Sequence, residues 1–366
     1  MRKSILLVLP SLSAGGTENY VLRFLRHVGN DNYCWHLLSP EKTRGDLHDS
    51  FEATRAIIHY QSIGYANPKK LFQLYNLIKN AQIQTICTFT GNFGGLALTV
   101  ARIAGVKTRV GWYRSTEPAY KPSFVKTGYD KLVNRLLWTN ATLVLSNSKA
   151  ALSRNQTNSI QKCPTKIIDN GVDAGIFQTS QISKDQAKQI LNIAPGRFTV
   201  CHVGRVDPAK NHETIFRVML EMLARKANVV FVFCGKGTDS PKFLETLRKR
   251  GVSEIAIGLG LRKDLNHVYA ASDLFYFPSI TEGQPNALIE AMICDVPILA
   301  SNIAPIKEVL PNELQDSLID PYDWKLASER ILAMARGEIV VPASFRSYAI
   351  DRFDPTKAFN SFIELL

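Results

Sequence analysis

The amino-acid sequence predicts an α/β protein of two doubly wound, Rossmann-like units, and three observations carry that prediction. Length is the first, because 366 residues exceed one ordinary core and suit two domains of roughly 150–200 residues each. Alternation is the second. Strand-like runs at 5–9, 85–89, 109–112 and 142–146 are separated by helical stretches such as 19–28, 68–81 and 96–104. The pattern starts again after Asn170-Gly171, with runs at 199–203, 229–234, 254–258, 274–277 and 297–300, as parallel βαβ units do. The third is the chemistry at strand ends, where glycine-rich and charged loops follow the runs at 5–9, 199–203, 229–234 and 274–277. Open α/β sheets bind ligands there, outside the carboxyl ends of the strands. The expected division is 1–172, 173–345 and a segment 346–366 whose last helix opens at Asp354-Pro355 and returns to the first domain. The two sheets are expected to face each other across a cleft.

Composition narrows the class. A hydrophobic content of 45% belongs to a globular chain. The six cysteines are scattered and form no C-x-x-C pair, so they read as small core residues, with neither a zinc site nor a disulfide framework implied. The start, Met1 to Pro10, imitates a signal peptide, but its apolar core is short and removal would delete the first strand and its loop. No run approaches the roughly 18–20 apolar residues of a spanning helix, and the expected location is the cytoplasm, with a peripheral contact at a membrane surface. Net charge is +12, and residues 1–173 carry 22 Lys and Arg against 10 Asp and Glu, which is the whole excess. A basic half beside a neutral half implies an anionic partner for the first.

The most informative loop runs from Pro278 to Met292. The apolar run 274–277 reads as a buried strand, Pro278 to Asn286 as a turn, and Ala287 onward as a helix. Glu282 stays on the loop and Glu290 falls about one turn into the helix. Because a carboxylate accepts two hydrogen bonds from sugar hydroxyls, these two acids can hold two different rings. A loop feeding a helix start leaves backbone N–H groups unpaired, which suits a phosphate. After the run 199–203, Gly204 permits a sharp turn and Arg205 with Lys210 can bracket a diphosphate, Arg as a fork and Lys as a point charge. Gly235 and Gly237, after 229–234, and Gly15-Gly16, after 5–9, bring backbone close to a ligand. No G-x-G-x-x-G occurs in that first loop, which argues against a nicotinamide or flavin site.

Taken together these motifs resemble a family 4 glycosyltransferase of the GT-B fold, the retaining group of nucleotide-sugar-dependent enzymes. The resemblance rests on Gly15-Gly16-Thr17-Glu18, Asn170-Gly171-Val172-Asp173, Gly204-Arg205 with Lys210-Asn211, Cys234-Gly235-Lys236-Gly237, Pro278-Ser279, and Glu282 to Glu290 with Ala291-Met292. It implies that Arg205 and Lys210 hold the donor diphosphate, that Glu290 binds the ribose, and that Glu282 binds the donor sugar, so that Arg205, Lys210 and Glu282 carry the chemistry. Gly15, Gly16, Gly204, Gly235, Gly237, Gln284, Pro285, Asn286, Ala287 and Glu290 are the implied donor-binding set. It also implies no metal and no cofactor, and the sequence contains no D-x-D motif, so Lys210 and Arg205 would neutralise what magnesium neutralises elsewhere.

One stretch departs from the family pattern. Many members carry a histidine over the donor sugar, whereas Arg109 to Glu117 contains none, and no histidine role transfers. Tyr113, Arg114 and Glu117 are the polar groups available there, and Thr90 and Asn92 form a second acceptor-side group. The seven histidines suggest no ligand cluster, with His202 a satisfied core residue and His212 a helix-start residue. Tyr113, Arg114, Tyr120, Lys121, Phe124, Lys126, Tyr129, Lys131, Arg135 and Trp138 interleave aromatics with cations, as a patch on anionic lipid does. The expected function is a retaining hexosyltransferase taking a sugar from a UDP-sugar, with a GDP-sugar as second choice. Its acceptor would be a glycan or lipid-linked intermediate of bacterial polysaccharide, capsule or lipopolysaccharide, with no nucleic-acid partner. Two alternatives stand beside it: a sugar-nucleotide epimerase or glycan phosphorylase of the same fold, and a non-enzymatic polyanion binder, whose affinity would fall steeply with salt.

Overall fold

The computed structural model describes residues 2–13, 15–40, 44–64, 66–115, 124–156, 163–177, 182–339 and 345–366. The chain divides into two compact units, Met1–Gly171 with Pro355–Leu366, and Val172–Asp354.

The first unit is built on a sheet of β1 (Lys3–Val8), β2 (Tyr33–Ser39), β3 (Ile57–Tyr60), β4 (Thr85–Thr88), β5 (Thr108–Tyr113), β6 (Leu143–Ser146) and β7 (Thr165–Ile167), in the order β3-β2-β1-β4-β5-β6-β7. Every pairing is parallel, with Leu6 opposite Ile86 and Trp112 opposite Leu145. Because side chains alternate across a strand, Ile5, Leu7, Trp35, Leu37, Cys87 and Trp112 enter one core with the helix Gly16–Val28. Leu6, Val8, Leu38, Ile86 and Val144 enter the other with the helices Pro68–Asn80 and Gly94–Ile103.

The second unit repeats the plan with β8 (Phe198–Val203), β9 (Val229–Cys234), β10 (Ala256–Gly258), β11 (Leu274–Phe277) and β12 (Ile298–Ala300), in the order β10-β9-β8-β11-β12, again all parallel. Both faces are covered: Cys201, Val232, Phe275 and Phe277 face one core, and Val200, Phe231, Phe233 and Tyr276 the other. In each sheet the winding reverses once, between β1 and β4 and between β8 and β11. That is the place where doubly wound sheets open a crevice for ligands.

The structure adds what sequence periodicity does not show. β2, β3 and β7 lie outside the predicted runs, and the run at 254–258 begins as a 3-10 turn, Ser253–Ile255, before β10. The terminal segment placed at 346–366 is divided between units. The helix Arg346–Arg352 belongs with the second unit, and only Pro355–Leu366 returns to the first. The reason is packing. Phe353, after the first helix, is buried in the second unit's core, and its carbonyl accepts from Val172 N–H at 2.9 Å. Phe359 and Phe362 instead pack edge-on to Tyr20, Phe24 and Trp112 in the first. The Leu366 carbonyl accepts from Lys3 Nζ at 2.5 Å and Thr85 Oγ1 at 2.7 Å. All six cysteines are free, four of them buried.

Two substitutions test this packing. A Cβ at Gly95 would collide with the Val133 carbonyl of the facing helix Phe124–Asn140, so Gly95→Ala should lower stability by about 1–3 kcal/mol in denaturant unfolding. Gly128→Ala on that same helix, where a Cβ meets nothing within 4 Å, should not. Asp273 accepts from Lys184 Nζ at 2.7 Å, Lys188 Nζ at 3.1 Å and Thr199 N–H at 2.8 Å, fastening the helix Lys184–Ile190 to β8. Burial raises its pKa, and these bonds outweigh it and hold the carboxyl below the ordinary 3.8. A depressed folded-state pKa gives stability that is present above the unfolded value and lost as pH falls through the folded one. Asp273→Asn should therefore cost about 1–3 kcal/mol at pH 7, and its gap from wild type should close as pH falls below 3.8.

Candidate functional site

At the switch point of the second sheet, adjacent strands β8 and β11 send out the two predicted loops. The backbone fastens them together. Ile280 N–H donates to Ala209 O at 2.9 Å, and Asn211 Nδ2 donates to Pro278 O at 3.1 Å and Pro321 O at 2.7 Å. Asn211 holds the left-handed φ of 55° that the end of the short turn Pro208–Lys210 requires. This brings Lys210 and Glu282, 72 residues apart, into a salt bridge of 2.6 Å with both side chains mostly covered. The ammonium also sits 4.7 Å over the Phe277 ring. Arg205, by contrast, is 66% exposed and pairs with Asp207 on its own loop, at 3.2 Å.

The glycines have separate reasons. Gly235, at φ 141°, lies so close to Gly204 that a Cβ would strike its carbonyl, and Gly237 has φ 90°. A Cβ at Gly204 would stand 3.1 Å from the Lys210 side chain and 3.2 Å from His202 Nε2. Gly235 N–H donates to Gly260 O at 2.8 Å and Val206 N–H to Lys236 O at 3.0 Å, so the β8, β9 and β10 loops form one layer.

Gln284 is buried, Pro285 caps the helix Asn286–Ile293, and Glu290 follows one turn in. Tyr269 OH lies 3.0 Å from Glu290 Oε2 and 3.1 Å from Ala287 O and shares its one proton between them, which holds the carboxylate in place. Sequence reading missed Tyr269, since nothing in its local pattern links it to a helix 21 residues away. It also missed a neutral imidazole pair. His202 and His212 are buried with ring centroids 5.1 Å apart. Burial first, then the neighbouring imidazole, drives His202 well below 6.5, and burial with Lys210 takes His212 to about 4. His202 is only half satisfied, a correction to its expected role. Nδ1 meets Tyr276 O at 3.0 Å, while Nε2 has no partner.

In the first unit Gly15 caps the helix Gly16–Val28, and a Cβ there would strike the Glu18 carboxylate. Glu18 is buried and accepts from Ser11 Oγ at 2.8 Å. The anion beside this helix start is the chain's own, whereas a Cβ at Gly16 would meet open space. Tyr113 is a core residue, which overturns its acceptor-side role. It is 2% exposed, stacks on Trp138 and donates to Asn134 Oδ1. The same burial removes Tyr113 and Trp138 from the proposed aromatic patch. Asn92 Nδ2 donates to Asp130 at 2.9 Å, and Thr90 lies at the end of the β4 loop. Glu117, Tyr120 and Lys121 lie outside the described residues, as do the side chains of Phe124 and Lys126. Arg114 is partly buried at the end of β5, 4.0 Å over the Tyr20 ring, and donates through Nη2 to Asn170 Oδ1 at 2.6 Å. Burial lowers its pKa to about 10, which leaves it charged at neutral pH. His48, Asp49 and Glu52, a grouping the sequence did not suggest, bring their ligand atoms within 4.8 Å of one another.

Comparison with known proteins gives this geometry a context. Residues 183–352 match the family model of the glycosyl transferases group 1. The chain is 26% identical, over 80% of its length and 79% of the relative's, to the N-acetylgalactosamine-N,N'-diacetylbacillosaminyl-diphospho-undecaprenol 4-alpha-N-acetylgalactosaminyltransferase of Campylobacter jejuni. It is 28% identical, over 70% of its length and 67% of the relative's, to the UDP-Gal:alpha-D-GlcNAc-diphosphoundecaprenol alpha-1,3-galactosyltransferase of Escherichia coli. Its fold is similar to that of Anabaena Alr3699/HepE, solved in complex with UDP-glucose, at a TM-score of 0.77 and 20% identity over 99% of this chain and 98% of that one.

The layered loops make a direct prediction. Gly235→Ala forces both a disfavoured φ and a backbone collision with Gly204, and should cost about 1–3 kcal/mol in thermal or denaturant unfolding. Gly196→Ala, at φ 75° with nothing within 4 Å, isolates the conformational part of that cost.

Proposed function

We propose, from the premise that the chain belongs to the glycosyl transferases group 1 through its second unit, that it is a retaining, metal-independent hexosyltransferase using a nucleotide-sugar donor. A UDP-sugar is the first choice and a GDP-sugar the second. The acceptor is a glycan or lipid-linked intermediate of bacterial polysaccharide, capsule or lipopolysaccharide synthesis. The observation that carries this reading is the Lys210–Glu282 pair at the switch point between β8 and β11, with Arg205 exposed beside it and Glu290 held by Tyr269 one helical turn along. The names of two relatives, each acting on an undecaprenol diphosphate-linked sugar, support the acceptor class, and the UDP-glucose complex of HepE supports the donor.

In this mechanism Lys210 and Arg205 take the donor diphosphate, Glu282 accepts from hydroxyls of the transferred sugar, and Glu290 accepts from the ribose. As the glycosidic bond breaks, negative charge grows on the departing diphosphate and positive charge on an oxocarbenium-like sugar. Fixed cations beside the first and a carboxylate beside the second lower the barrier. The acceptor attacks from the face the diphosphate leaves, and the diphosphate accepts its proton. Gly204, Gly235 and Gly237 let backbone approach the nucleotide, and Gln284 to Ala287 present the helix start to phosphate. The second unit binds the donor and the basic first unit binds the acceptor, with Thr90, Asn92 and Arg114 on the acceptor side. The first unit also meets the anionic cytoplasmic face of the membrane, a role supported by exposed Lys131, Leu132 and Arg135 on the helix Phe124–Asn140. No helix among the described residues is long and apolar enough to cross a membrane.

A thermal-shift screen against UDP, GDP, ADP and their sugars tests the reading. UDP or a UDP-sugar should stabilise the protein with and without EDTA, and Arg205→Ala and Glu290→Ala should abolish the shift. Lys210→Met should lower turnover by about 10²–10³-fold. A folded sample that no nucleotide stabilises would reject the donor reading, and a shift lost in EDTA would reject metal independence.

A further inference from the structure

The carboxyl ends of β4, β5, β6 and the segment after β7 gather polar groups that the donor chemistry does not use. Arg114 is held rigidly before any ligand arrives. Its guanidinium lies 4.0 Å over Tyr20 and 5.4 Å from the Trp112 ring centroid, a favourable cation–π setting, and Nη2 is committed to Asn170 Oδ1 at 2.6 Å. That same oxygen lies 3.5 Å from Asn147 Nδ2. Nη1 is covered and has no hydrogen-bond partner, and neither do Asn147 Oδ1 and the Thr90 hydroxyl. A guanidinium donor and a hydroxyl kept from water without partners each carry a desolvation cost that a bound oxyanion would offset. The residue is not sealed, since Arg114 and Thr90 remain partly exposed at the strand ends.

Arg23 and Glu18 are among the charged groups that act on Arg114. A carboxylate, planar and singly charged, matches one guanidinium in both shape and charge. We infer that Arg114, with Asn147 and with Thr90 after the neighbouring strand β4, forms a pocket in the first unit for the carboxylate of an acidic sugar, a hexuronate, carried by one of the two substrates. The inference rests on the reading that this chain binds sugar substrates, and it names one chemical feature of them. Asn170 and Tyr20 are positioning residues, acting through Arg114.

Calorimetric titration of the full chain tests it with two matched pairs. UDP-glucuronate against UDP-glucose reports a carboxylate on the donor, and 4-nitrophenyl glucuronide against 4-nitrophenyl glucoside reports one on the acceptor. In one of the two pairs the acid should bind at least about tenfold more tightly than its neutral partner, as a charge-assisted pair provides. Arg114→Lys, which keeps the charge and loses the fork, should bring that preference within about threefold. If that variant does not fold, Asn147→Asp, which adds a carboxylate of nearly the same shape, should remove it as well. Equal binding within both pairs, in protein that binds UDP, would overturn the pocket and leave the donor reading intact. Tighter binding of glucose 6-phosphate than of the glucuronide would overturn the choice of carboxylate. Failure of UDP itself to bind would remove the premise and the inference together.

Discussion

Both sheets are wholly parallel, and this constraint governs the rest of the molecule. A parallel sheet is stable when helices cover both its faces, so the inner strands are buried on both sides and every crossover returns the chain to the same end. The carboxyl ends of the strands therefore share one rim in each unit. The side chains available for chemistry are those on the loops leaving that rim. Pro355–Ile363 covers the Tyr20 and Trp112 face of the first sheet with Phe359 and Phe362.

Charge is arranged by the same rim. Lys210 and Glu282 come from loops after neighbouring strands and meet in a largely covered pair. A pair of this kind adds little net stability when it is compared with apolar packing, because both ions give up water. Its value lies in position: loops from two neighbouring strands hold two opposite charges next to each other. The neutral imidazoles of His202 and His212 beneath the loop leave Lys210 as the cation among these three groups. In the first unit Arg114 is fixed by ring faces and by Asn170, and Glu18 folds over Gly15. Each unit thus presents an oriented cation at its own strand ends.

The parts legible in the sequence were those with a strong local signal. β9, β11 and β12 are continuous apolar runs buried on both faces and could be read directly, as could β8, whose Thr199 and His202 are buried with it. β3 and β7 were not legible because they are edge strands: Ile57 and Tyr60 are exposed, and two of the three residues of β7 are exposed. β2 was missed although Trp35 to Ser39 are buried, and its His36 lies 3.0 Å from His59 across the strand pair. Tyr113 failed for the opposite reason. Its hydroxyl suggested a ligand contact, while Asn134, on a helix 21 residues away, satisfies it inside the core.

By itself the sequence determined the alternation of strands and helices, the division near Gly171, and the placing of Arg205, Lys210 and Glu282 on loops after strands and of Glu290 on the helix that follows. These depend on local periodicity and turn chemistry, which a linear chain displays. Only the tertiary structure decided that Lys210 pairs with Glu282, that Tyr269 holds Glu290, that Arg114 and Asn147 both meet Asn170, and that the terminal segment divides at Pro355. Those facts depend on which strands become neighbours. Strand order is set by the burial of whole faces, and it brings together residues whose separation along the chain carries no signal of their meeting.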